Sequence, residues 1–485
     1  MGKFFRNTVL LSIVLISFLM HFEHFPKELM SIHVWRQTQT QSTINNFYEE
    51  DMNILNPRRN DRGDGDGIFR MEFPLMQWLV AATYHLFGKH LIVTRIIMFI
   101  IGLFSVFGIY KLLLYLFRIE TLAIIGAWTF NFSPAFYYYT INPLPDNLAL
   151  CCSIWGLAFF FKYVSDQRLL SIILSGIFLS LGTLCKLPFI VYYIVPIVYF
   201  VYFIIKKGFE KKLFIRTIAM FSWSIAPIAW YLTVIPQWHG NVIVKGMLKN
   251  EDSFGKIFDS LWFNFSSTLP ELLLNYGSTL LFVAGFYFLF KRKAYKNVRF
   301  LMLLGLSIMV LVYFFFEINA IAKVHDYYLF PFYPLLFSLV AYGAYHLLQL
   351  KKLFFRYLTW VLLIILPFAC YLRMEVRWNP DSPGLNKDLL VYKNDIRDAV
   401  PDDALVVAGN DKSHYIFFYY IDKKGWGFQD DNLSANELAD NIRKGAQYLY
   451  IDSRKIDNNP TIQPFLEKLI IEKGSIRIYK LKKAG

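Results

Sequence analysis

Apolar runs approaching 20 residues recur along most of this chain, separated by short polar segments. They fall at about 7–22, 91–117, 121–140, 147–164, 169–185, 188–205, 214–234, 271–290, 300–317, 328–349 and 354–372. As helices, runs of this length match the roughly 30 Å hydrocarbon thickness of a bilayer. The pattern predicts an α-helical polytopic membrane protein with about eleven transmembrane helices. A further run, Phe73–Gly88, is shorter and carries Gln77, Trp78, Tyr84 and His85. From about Arg373 the chain turns polar, and DALVVAG, AQYLYID and SIRIYKL read as short strands. Lys412–Tyr420, Ala435–Lys444 and Gln463–Glu472 read as helices between them. That alternation predicts a small α/β domain with partly parallel strands. The expected division is a transmembrane domain over 1–372 and a C-terminal domain over 373–485.

Charge decides how the runs thread the membrane. The net charge of +14 suggests nucleic acid until its positions are read. Suppose 73–88 does not span. One side then collects Lys3, Arg6, Lys111, Arg118, Lys162, Arg168, Lys206, Lys207, Lys211, Lys212, Arg216, Lys291, Arg292, Lys293, Lys296, Arg299, Lys351, Lys352 and Arg356. The short loops of the other side keep only Lys186 and Lys323. Cytoplasmic loops carry the excess of Lys and Arg, so 73–88 reads as an amphipathic helix lying in the outer interface. The expected place is the cytoplasmic (inner) membrane. The N-terminus is then cytoplasmic, and a first outer loop covers 23–90, a second 235–270. The C-terminal domain lies outside. Thr8–Met20 resembles a signal peptide, but HFEHFP follows without a small-residue cleavage site, so it reads as an uncleaved first helix. The four cysteines lie in or beside apolar runs and offer neither metal-ligand spacing nor a disulfide framework.

Polar chemistry gathers on the outer face. The first loop carries His33, Trp35, Arg36, Gln37 and Glu72; the third run ends in TINPLPDN with Asp146; the fifth ends in CKLP with Lys186. The ninth is followed by Lys323, His325, Asp326, Tyr327 and Tyr328. Separate helix ends thus bring acids and bases to one membrane surface. Such a surface can pair a cationic cradle for a lipid phosphate with a general base for a hydroxyl. Each residue also has a plainer reading. Arg36 and Lys186 can be interfacial side chains, Asp146 and Glu72 can cap helices, and His325 and Tyr327 can belong to an aromatic belt. DRGDGDG resembles a calcium loop but lacks the later glutamate, and reads as a turn.

At Trp35-Arg36-Gln37, Glu72-Phe73-Pro74-Leu75 and His325-Asp326-Tyr327-Tyr328-Leu329, the chain resembles the GT-C class of membrane glycosyltransferases. It is similar to protein O-mannosyltransferases and the lipid A aminoarabinose transferase, over roughly 1–372. The resemblance implies inverting transfer of a sugar from a polyprenyl-phosphate carrier to a hydroxyl of a glycan, lipid or protein. It implies that Arg36 and Lys186 contact the donor phosphate and that Glu72 and Asp146 are acids of the site. Trp35, Gln37, His325, Asp326, Tyr327 and Tyr328 would line the substrate, with an optional divalent ion and no other cofactor. One position departs from the pattern. The acid expected three residues before Arg36, taken as the catalytic base, is His33 here. The base is then His33, Glu72 or Asp146. A lipid-linked saccharide flippase and an inactive membrane scaffold are the alternative readings. Few ionisable groups fall in the middle of a run, which weighs against transport.

Overall fold

The computed structural model describes residues 3–208, 210–238, 253–293, 297–323 and 325–482. It divides into two compact units, Met1–Phe25 with Met71–Phe73 and Arg95–Val376, and Pro26–Arg70 with Pro74–Thr94 and Arg377–Gly485. Most of the first outer loop therefore groups with the C-terminal residues, which differs from a division at 372/373.

The first unit is helical. Among the described residues, eight helices are long and apolar enough to cross a membrane, and nine if a bent pair counts as one span. Three expected spans account for the difference from eleven. The run 121–140 breaks into Glu120–Asn131 and Pro134–Tyr139. Ser133 turns extended there, as the residue before a proline tends to do. Leu169–Cys185 is a continuous helix of 17 residues. The run 271–290 is not continuous. Phe254–Leu273 and Gly277–Lys291 meet at a 109° bend. Asn275 and Tyr276 adopt left-handed backbone at that bend, and Pro270 precedes it. Part of the expected second outer loop, residues 239–252, lies outside the described residues.

Close backbone approach fixes some of the helix pairs. Gly343, on Tyr333–Leu348, faces Gly277–Lys291 so tightly that a Cβ would sit 2.0 Å from the Leu281 carbonyl oxygen. A polar pair, Ser17 and Asn131, also joins two helices at 2.7 Å within the same unit. Outward-facing side chains such as Leu232, Ile364 and Ile205 are strongly exposed, as lipid-facing positions should be.

In the second unit the stretch containing WRQ is not loop but helix, Val34–Glu49. It is polar yet largely buried, from Arg36 through Ser42. Its polar groups are tied down by hydrogen bonds such as Gln41 Nε2 to Tyr84 Oη, 2.8 Å, and Asn46 Nδ2 to Asn60 Oδ1, 2.9 Å. The expected amphipathic helix is Leu75–Phe87, 13 residues long and too short to cross a bilayer. It buries Met76, Val80, Ala81 and Tyr84 while Leu86 and Phe87 stay exposed.

The C-terminal residues form a five-stranded sheet of β1 (Leu405–Gly409), β2 (Lys424–Gly427), β3 (Tyr448–Ile451), β4 (Leu466–Lys473) and β5 (Ile476–Leu481). The order is β2-β1-β3-β5-β4. β1 runs parallel to β2 and β3, while β5 runs antiparallel to β3 and β4. Alternate residues serve the two faces. Val406 and Ala408 join one core cluster, and Val407 joins the other. The helix expected over Gln463–Glu472 is instead β4. The β4–β5 hairpin turns at Gly474, whose φ of +57° suits glycine, and pairs Lys473 with Ile476.

Candidate active site

Within the helical unit, four expected site residues come from breaks in helices. Lys186 follows the helix Leu169–Cys185, in extended backbone. Pro188, at the start of the next turn, ends the continuity there. The negative end of a helix dipole favours the ammonium at that point. Asp146 lies in the first turn of Pro145–Asp166, after Pro145. Its cap position is Leu144 and carries no side-chain bond, so Asp146 is a first-turn acid rather than the cap. Lys186 Nζ and Asp146 Oδ2 stand 3.7 Å apart, both buried. Glu72 is held by its neighbours. Phe73 N–H donates to the Leu184 carbonyl at 3.0 Å, and Trp230 Nε1 donates to the Met71 carbonyl at 3.1 Å. Tyr328 places its ring 5.4 Å from Lys186 Nζ.

Lys186, Glu72 and Tyr328 line a cavity of about 360 Å³ together with Tyr231, Tyr313 and Glu317. Leu187, Ile190, Val191, Tyr231, Ile235 and Met309 are shared with an adjoining apolar cleft of about 540 Å³. A charged pocket thus continues into an apolar one. Glu317 is not among the residues that the sequence singles out. It stands one residue past the span Val298–Phe316, is 5% exposed, and lines the cavity. Burial pushes its carboxyl up to about 7, with the Lys186 charge acting in the opposite direction.

The His-Asp-Tyr-Tyr segment forms a tight aromatic knot. Tyr139 Oη donates to Asp326 Oδ1 at 2.6 Å, and the Tyr139 and Tyr327 rings meet edge to face. The Tyr327 and Tyr328 ring centroids are 4.9 Å apart. His325 bonds through Nδ1 to the Ala320 carbonyl at 2.5 Å, and burial holds its imidazole below the usual value. Of this segment only Tyr328 reaches the lining of the cavity. His325, Asp326 and Tyr327 sit behind it.

The remaining expected residues lie in the second unit. His33 precedes the helix Val34–Glu49 with φ of +56°, a strained backbone for histidine, and is buried. Arg36 is buried in the first turn and its guanidinium bonds Gln39 Oε1. Gln37 Nε2 donates to the Ile32 carbonyl at 2.9 Å. Trp35 lines a separate polar pocket of about 430 Å³ with Asn386, Asn410, Asp411 and Lys412. Of the DRGDGDG acids, Asp61 faces His414 Nδ1 at 3.4 Å and Asp66 pairs with Arg58 at 3.3 Å. Among the described residues, the grouping with metal-ligand geometry is Glu23, His24 and Glu375, which the sequence did not suggest.

The fold is like that of ArnT, with eight to nine helices long and apolar enough to cross a membrane among the described residues and a small α/β unit. Residues 72–231 match the family model described as dolichyl-phosphate-mannose-protein mannosyltransferase. The chain is similar to ArnT from Cupriavidus metallidurans bound to undecaprenyl phosphate. The TM-score is 0.69 at 11% identity, covering 99% of this chain and 98% of that one. It is also similar to the Archaeoglobus fulgidus oligosaccharyltransferase, with TM-score 0.61 and 12% identity over 96% of this chain and 73% of that one. The mycobacterial arabinofuranosyltransferase AftD gives 0.59 at 13% identity, over 100% of this chain and 40% of that one. At these identities the likeness is one of fold. No curated protein sequence is a significant match.

Proposed function

We propose that this protein transfers a sugar from a polyprenyl-phosphate carrier to a hydroxyl acceptor at the outer face of the cytoplasmic membrane. The observation that carries the reading is the pocket itself. A buried cation and acids at Lys186, Glu72 and Glu317 sit at the head of an apolar cleft. A polyprenyl phosphate has that same division into an anionic head and an apolar tail. Lys186 supplies a charge-assisted contact to a phosphate oxygen. Asp146 holds Lys186 in place. The similar ArnT structure contains undecaprenyl phosphate, in keeping with this donor class. Tyr328 forms the cavity wall beside Lys186, with Asp326 and Tyr327 packed behind it. The test is titration of purified protein in nanodiscs with undecaprenyl phosphate. Saturable binding that free phosphate and undecaprenol each fail to displace supports the reading. Binding that undecaprenol displaces equally well refutes a phosphate site.

A further inference from the structure

Glu317 has no part in binding the donor phosphate, yet the fold holds it in an unfavourable place. Its Oε2 is buried and, among the described residues, has no hydrogen-bond partner. It follows the last turn of Val298–Phe316, where the helix dipole opposes an anion. Buried polar groups are normally satisfied, and an exception calls for a functional reason. The groups facing it are known. Glu72 comes from the 71–73 segment, Lys186 from the end of Leu169–Cys185, Tyr231 from Ile225–Val234, Tyr313 from its own helix, and Tyr328 from the segment after His325. Coulombic influence reaches it from Lys186. Asp146 differs. It faces Lys186 at 3.7 Å in a helix first turn and is not part of the cavity lining. Glu317 combines burial, a place on the cavity wall and a side-chain oxygen without a hydrogen-bond partner among the described residues.

We propose that Glu317 is the general base that takes the acceptor's hydroxyl proton during sugar transfer. The inference rests on the transferase reading above. In the step, the acceptor oxygen bonds to the anomeric carbon as the bond from that carbon to the phosphate oxygen breaks. The electron pair stays on the phosphate, which leaves as polyprenyl phosphate beside Lys186. The hydroxyl proton passes to the Glu317 carboxylate and from there to water. A carboxyl pushed up to about 7 is a stronger base than an ordinary one and remains largely ionised just above neutrality.

The test uses the full chain in liposomes. A panel of synthetic, radiolabelled undecaprenyl-phosphate hexoses and pentoses is supplied with a delipidated cell-envelope extract as acceptor. The unaltered protein should lose rate as pH falls through about 7, as the base becomes protonated. E317Q should lose about 100- to 10,000-fold in kcat, with donor KM changed by less than about threefold and no acid limb left. E317D should keep the limb at reduced kcat. An E317Q that folds and keeps the rate and limb of the unaltered protein overturns the role of Glu317 while leaving the transferase reading intact. No transfer by the unaltered protein from any donor overturns the reading and this role with it. If E317Q fails to fold, dicyclohexylcarbodiimide, which attacks protonated carboxyls in apolar surroundings, tests the unaltered protein directly. Inactivating label on Glu317, stronger at pH 6 than at pH 8 and blocked by undecaprenyl phosphate, supports the proposal. Label that misses Glu317, or that leaves turnover intact, overturns it.

Discussion

Lys186→Met is the substitution with the clearest double consequence. Lys186 and Asp146 face each other at 3.7 Å with side chains 11% and 3% exposed. Removing one partner of a buried ion pair typically costs about 3–5 kcal/mol, because the other charge stays in a poor medium. The first-turn position of Asp146 returns ~0.3–1 kcal/mol of that. A net loss of about 2–5 kcal/mol is therefore expected, read as a lower melting temperature in detergent. The second consequence concerns the donor. A hydrogen bond to a charged phosphate is worth ~1.5–3 kcal/mol. That weakens undecaprenyl phosphate binding about 10- to 150-fold. The two effects separate in the pair Lys186→Met with Asp146→Asn, which removes both charges. Stability should return to within about 1.5 kcal/mol of the unaltered protein, while donor affinity stays low. Calorimetric titration with undecaprenyl phosphate in nanodiscs, run beside thermal unfolding, reads both. If donor affinity recovers together with stability in the double variant, Lys186 acts by holding the structure and the phosphate assignment is refuted.

Arg36→Ala should weaken binding of undecaprenyl phosphate by about tenfold or more, and Arg36→Lys should restore only part of it, because a fork of donors is lost; equal affinity in all three forms removes Arg36 from the site. Gly343→Val places side-chain atoms against the Leu281 backbone and should lower stability by ~1–3 kcal/mol or prevent folding, seen as a reduced melting temperature or lost expression. The Asp61 carboxylate beside His414 raises the imidazole pKa above its ordinary value. That contribution to stability is full below about pH 6.5 and is lost as pH rises through the raised value. Asp61→Asn should remove this pH dependence of the melting temperature, and an unchanged profile contradicts the pairing.

The helical framework was readable because lipid demands long apolar runs, and all eleven runs correspond to helical segments. The breaks were harder to see. Pro134 was visible, but the bend at Asn275 and Tyr276 rests on two residues in left-handed backbone that carry no strong sequence signal. The polar helix Val34–Glu49 was read as loop because its residues lack apolar periodicity; its burial is made by partners such as Tyr84 and Asn60 that composition does not reveal. Strand β4 was read as helix because Leu466–Lys473 mixes charged and apolar residues without clean alternation, and the turn at Gly474 was the signal that should have outweighed it. Lys186, Asp146 and Glu72 could be singled out from motifs, although nothing in the sequence shows that Lys186 and Asp146 are paired. Glu317 could not be picked out, since its distinction is a buried oxygen on a cavity wall with no hydrogen-bond partner among the described residues, a property of packing rather than of residue type.

The proposed transfer cleaves a carrier-linked sugar from its phosphate, and phosphorus NMR reads that event directly. Liposomes containing the protein and a synthetic undecaprenyl-phosphate sugar show a phosphodiester resonance, and transfer converts it to the phosphomonoester of undecaprenyl phosphate. With envelope extract added as acceptor, the diester signal should fall as the monoester signal rises, and at subsaturating donor both changes should slow about 10- to 150-fold with Lys186→Met. A diester signal that persists with every donor and acceptor, while a shift reagent shows the lipid moving between leaflets, would contradict the account and establish a flippase instead.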